Sequence, residues 1–81
     1  MKLKKEHKVM TNTELLEKEI KESGKKKSYL AKKVGLSPAG FRNCVINKAE
    51  WKVSQIDILC TELGIVDLKK RHAIFFAKVG A

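Results

Sequence analysis

Apolar residues recur along this chain at helical spacing, and nowhere does a run of β-branched residues alternate with polar ones. Thr11 followed by Glu14 has the pattern of a capping box, which predicts a first helix to about Ser23 with Leu15, Leu16 and Ile20 inward and Gly24 ending it. Lys25-Lys26-Lys27 reads as a basic loop. Leu30, Ala31 and Val34 share one face and predict a second helix over 28–34, closed by Gly35, a residue at ease with positive φ. Ser37 then offers a capping hydroxyl, with Pro38 at the first helical position, where a missing N–H is harmless. Phe41, Cys44 and Val45 continue the apolar face of this third helix, 37–46. After a loop at 48–53, in which Trp51 is expected to pack on the core, Ser54 and Asp57 mark a fourth helix. Ile56, Leu59, Cys60 and Leu63 form its inner stripe and Gly64 its end, and Asp67 opens a C-terminal helix over 67–78. The predicted fold is all-α, a compact bundle of about five short helices.

Residues 28 to 48 are the most informative stretch: helix, tight turn at Gly35-Leu36-Ser37, second helix. This is the grammar of the DNA-binding helix-turn-helix. Leu30-Ala31-Lys32-Lys33-Val34-Gly35-Leu36-Ser37, followed by Phe41, resembles the core signature of the phage repressor and Cro group of helix-turn-helix proteins, the XRE-like class. Asn47 to Ile56 resembles the loop and fourth-helix start of small Cro-like proteins from phages of Gram-positive bacteria. Leu59-Cys60-Thr61-Glu62-Leu63-Gly64-Ile65 resembles the end of that helix. The likeness covers roughly residues 12 to 68. It implies a lambda-repressor-like bundle and a DNA-binding transcription regulator of the bacterial cytoplasm that binds a double-stranded operator, commonly as a homodimer.

Charge points the same way. Eighteen Lys and Arg against nine Asp and Glu leave a formal +9 on 81 residues, which calls for a polyanionic partner, nucleic acid before acidic membrane. The length suits one domain, 11–81, with a single small core. Residues 1–10 are basic without a clear period and read either as a flexible arm that lies on DNA or as a disordered leader. No apolar run is long enough for a membrane span or a signal peptide, so a cytoplasmic location without membrane contact is expected. Cys44 and Cys60 lack metal or redox spacing and read as free core thiols. His7 and His72 have no partner spacing for a metal site or a nucleophile–base pair, and no glycine-rich phosphate loop is present. The expectation is no catalytic residue, no metal, no cofactor and no small-molecule ligand.

Matched to the family, the outward positions at the start of the third helix are Ser37, Pro38, Ala39, Arg42 and Asn43. Arg42 suits guanine O6 and N7, Asn43 adenine N6 and N7, and Ala39 a thymine methyl. Pro38-Ala39-Gly40 departs from the long polar side chains usual in the first turn, so base readout falls on Arg42 and Asn43 or on DNA shape. Phosphate contacts are expected from Lys26, Lys27 and Ser28, where the second helix begins, and from Lys48 and Lys52 in the loop beyond the third. Leu68, Ile74, Phe75, Phe76 and Val79 are too many apolar residues for one helical stripe, and Ile74, Phe75 and Phe76 are the expected homodimer contact. A different class of function also fits: phages reuse this scaffold to bind proteins, as antirepressors or as anti-CRISPR-type inhibitors of host defence. A fold does not settle which.

Overall fold

Leu16, Leu30 and Leu59 are fully shielded from water, and five helices converge on them. The computed structural model describes residues 8–79. The helices are α1 Thr13–Ser23, α2 Lys27–Lys33, α3 Pro38–Val45, α4 Val53–Leu63 and α5 Leu68–Phe75, the expected small all-α bundle. Each contributes a short apolar stripe: Leu16 and Ile20 from α1, Leu30 and Ala31 from α2, Phe41 and Val45 from α3, Ile56, Leu59 and Cys60 from α4, and Ile74 and Phe75 from α5. No helix here exceeds 11 residues, so packing rather than propensity holds them. None is long and apolar enough to cross a membrane.

Local chemistry sets the boundaries. The side chain of Asn12, not Thr11, caps α1 by accepting from the Leu15 N–H at 3.1 Å, because the backbone of Thr11 is engaged with Asn47. Ser37 caps α3 as expected, accepting from Gly40 N–H at 3.0 Å. Lys52 rather than Ser54 stands at the start of α4, and the Gln55 side chain closes that turn by accepting from the Lys52 N–H at 2.9 Å. In the turn between α2 and α3, Gly35 takes φ 76°, which a Cβ would penalise. Trp51 packs as expected, edge-on to Phe41 and to Phe75, and its indole N–H has no acceptor.

Two expectations are corrected. The last helix stops at Phe75 instead of running to Lys78, and the chain turns at Phe76 into a strand, β2 Ala77–Val79. That strand pairs antiparallel with β1 Lys8–Met10, with Lys8 opposite Val79 and Met10 opposite Ala77. Residues 8–10 are therefore strand and not flexible arm; the remainder of the expected arm, 1–7, lies outside the described residues. Two three-residue strands carry too little sequence for period-two patterning to show.

Replacing Leu59 with Ala should lower unfolding free energy by about 2–5 kcal/mol, a large share of what so small a domain has. Replacing Val66, 91% exposed, with Ser should change it by less than about 0.5 kcal/mol. Urea denaturation followed by circular dichroism checks both, and equal midpoints for the two variants would contradict this core.

Candidate nucleic-acid interface

The two faces of α3 differ sharply. Phe41, Cys44 and Val45 are buried, whereas Pro38, Ala39, Arg42, Asn43 and Ile46 are exposed. An amphipathic helix this short must present its polar side outward, which places Arg42 and Asn43 side by side in solvent. Ser37 is exposed as well; its oxygen is occupied as a cap, which leaves the hydroxyl proton free to be donated.

Lys27 and Ser28 at the start of α2 meet Pro38 and Arg42 of α3, and Ile46 just past its end, around a cleft of about 440 Å³, walled on the α1 side by Glu17. Lys26 stands at the N-cap of α2 without a side-chain bond to the helix, so the first amides there have no side-chain acceptor. Of the expected contacts, Lys27, Ser28, Pro38 and Arg42 are drawn together at this cleft, whereas Lys26, Ser37, Ala39 and Asn43 do not line it. Lys48 and Lys52 lie apart from that cleft, past the far end of α3. The loop carrying Lys48 is pinned to the helix, since the amides of Lys48 and Ala49 both donate to the Asn43 carbonyl, at 2.7 and 3.1 Å.

Charge is distributed unevenly. Lys25 pairs with Glu62, Lys70 with Glu19 and Arg71 with Asp57. Among the described residues no ion pair engages Lys26, Arg42, Lys48 or Lys52, and Lys27 alone of the expected contacts is paired, to Glu17 at 2.8 Å. Both members of that pair are well exposed, so the pair itself adds little stability. Glu17 and Ile46 are the neighbours that sequence reading missed. Glu17 and Lys27 are ten positions apart with a loop between them, and no local pattern marks such a pair.

The loop leading into α2 is held from α4. Lys25 Nζ donates to the Glu62 carbonyl at 2.7 Å and to Oε1 at 2.9 Å, and the Tyr29 hydroxyl donates to the same Oε1 at 3.0 Å. Lys25 and Lys33 also lie near the Tyr29 ring, at 5.8 and 5.7 Å from its centre. The Lys25 and Tyr29 bonds hold the Glu62 carboxyl below its ordinary value of 4.5.

The expected dimer contact is corrected in part. Ile74 is 1% and Phe75 4% exposed, consumed by the protomer's own core because the shortened α5 folds back across α1. Phe76 is half-buried beside His72. No group of three His, Cys, Asp or Glu that could hold a metal ion occurs among the described residues. Burial pushes both thiols, Cys44 and Cys60, upward, which keeps them protonated at neutral pH.

Comparison with family models, curated proteins and solved structures gives no match. The likeness to the repressor and Cro group therefore rests on the quoted residues of 12 to 68 alone.

The Glu62 cluster has a defined pH signature. A carboxyl held low in the folded chain stabilises it fully above the ordinary glutamate value, and that contribution is lost as pH falls through the folded value. The stability difference between the parent chain and Glu62→Gln should be largest near neutrality and vanish in acid. A difference that stays constant across a urea series from neutral to acidic pH would assign Glu62 to packing alone.

Proposed function

We propose that the chain is a sequence-specific double-stranded DNA-binding transcription regulator of the bacterial cytoplasm, with α3 entering the major groove. One observation carries the reading. Arg42 and Pro38 of α3 and Lys27 and Ser28 at the start of α2 border the same cleft, and Lys25, Lys70 and Arg71 are paired with acids elsewhere. A helix fits the major groove with its first turns against base edges, and lysines at its flanks then meet the two phosphate backbones. Arg42 and Asn43 are the base readers, with Ser37, Pro38 and Ala39 at the groove wall. Lys26, Lys27 and Ser28 meet one backbone, and Lys48 and Lys52 the other. Occupancy of a promoter would be the regulatory act. A symmetric operator would call for two copies, joined elsewhere than at Ile74 and Phe75.

The protein-binding reading draws on a separate observation: Val66, on the link between α4 and α5, and Leu68, which opens α5, are 91% and 75% exposed. Two neighbouring side chains are a small patch by interface standards, which places this reading second.

Selection of binding sites from a random duplex pool at near-physiological salt should enrich one motif with two-fold symmetry. Arg42→Ala should then weaken binding to that motif by roughly 5- to 150-fold while leaving random duplex nearly unaffected. Lys48→Ala should weaken both and flatten the salt dependence by about one unit of slope. Retention of the whole pool without a consensus would sink the sequence-specific reading.

Glu17→Gln frees Lys27 from its only ion pair among the described residues and removes a negative charge from the cleft. Affinity for duplex DNA should rise, with the steepest gain at low salt. Fluorescence anisotropy across a salt series measures it, and a loss of affinity would remove Lys27 from the interface.

A further inference from the structure

Asn47 is the one residue other than glycine with positive φ in the described chain, at 68°. Gly24, Gly35 and Gly64 serve the same left-handed bends elsewhere, at 74°, 76° and 72°. Glycine takes this conformation freely, and asparagine is the next most tolerant residue. The side chain supplies a reason for asparagine here. Its Oδ1 accepts from the Thr11 N–H at 2.9 Å, and its Nδ2 donates to the Thr11 carbonyl at 2.9 Å. The carboxamide thereby stands in for the peptide group of a neighbouring strand and satisfies both backbone groups of a buried residue. A third bond joins the same two segments, from Thr13 Oγ1 to the Val45 carbonyl at 2.6 Å.

We propose that Asn47 is a positioning residue for base readout: its carboxamide locks the end of α3 to the chain entering α1 and so sets the rotation of Arg42 and Asn43. This rests on the DNA-binding reading above. Burial of Phe41 and Val45 holds α3 against the core, but apolar attraction is non-directional and resists rolling of the helix only weakly. Hydrogen bonds are directional. At the radius of a helix, a roll of roughly 20° moves a side-chain tip by about 2 Å, enough to lose a bidentate contact to a base. The bonds at 45 and 47 act at the end of α3 from which the Lys48 loop departs, so they orient the base readers and that phosphate-facing loop together.

The informative variant is Asn47→Gly, which removes the carboxamide while easing the backbone. Three quantities are measured: amide hydrogen exchange of the free protein, affinity for the duplex selected by the parent chain, and affinity for an unrelated duplex at the same salt. Faster exchange at the Thr11 amide is expected, with affinity for the selected duplex reduced roughly 5- to 100-fold. Affinity for the unrelated duplex and its salt slope should not change. Thr13→Val, which cuts the adjoining bond to Val45, should shift the same ratio by a smaller factor and serves should the glycine variant not fold. Faster exchange with both affinities at parental values would overturn the proposal, as would an equal loss on both duplexes. Failure of the parent chain to prefer any duplex would be read on that chain alone, and would remove the DNA-binding reading and the role of Asn47 with it.

Discussion

The Phe41 ring, 1% exposed, meets the Trp51 indole edge-on with centroids 5.4 Å apart, and Trp51 meets Phe75 in the same way at 6.2 Å. This aromatic relay joins α3, the loop after it and α5 into one packed unit. An eight-residue helix would not persist alone in water, so α3 exists because Phe41 and Val45 are buried. That burial decides that Arg42 and Asn43 face water, and the Lys48 loop follows its path around Trp51. Fold and surface are therefore coupled: whatever loosens the ring stack also loosens the outward face.

Electrostatics adds a second layer that burial does not dictate. A chain with twice as many basic as acidic side chains repels itself, and some of its acids are placed where they relieve that strain between helices. Glu19 reaches Lys70 and Asp57 reaches Arg71, tying α5 to α1 and to α4. What remains around the cleft between α2 and α3 is a group of cations facing Glu17.

The helical parts of this architecture were legible because each carries a local signal several residues long. The apolar stripe of Leu30, Ala31 and Val34, the cap at Ser37 and the glycine bends at 24, 35 and 64 needed no knowledge of the rest of the chain. Features that depend on distant partners were not legible. Thr11 has the look of a cap, yet Asn47, far along the sequence, takes its backbone and hands the cap to Asn12. Ile74 and Phe75 looked surplus because the count of apolar residues on α5 says nothing of the space that Ile56 and Trp51 leave for them. Around the cleft between α1, α2 and α3, the exposed positions on single helices were legible, while the Glu17 contact from α1 was hidden.

The ribbon has a kinetic meaning. Pairing Lys8 with Val79 closes a loop of roughly seventy residues around the whole bundle, with three residue pairs to offset the entropy of closure. Helix pairs such as α2 and α3 close far shorter loops and assemble first. By that entropy the β1–β2 pair is expected to form last and open first, and neither strand belongs to the hydrophobic core cluster. Beyond the strand pair, the Asn47 carboxamide fastens the chain at Thr11 like a button, so opening of the strands need not reach α1.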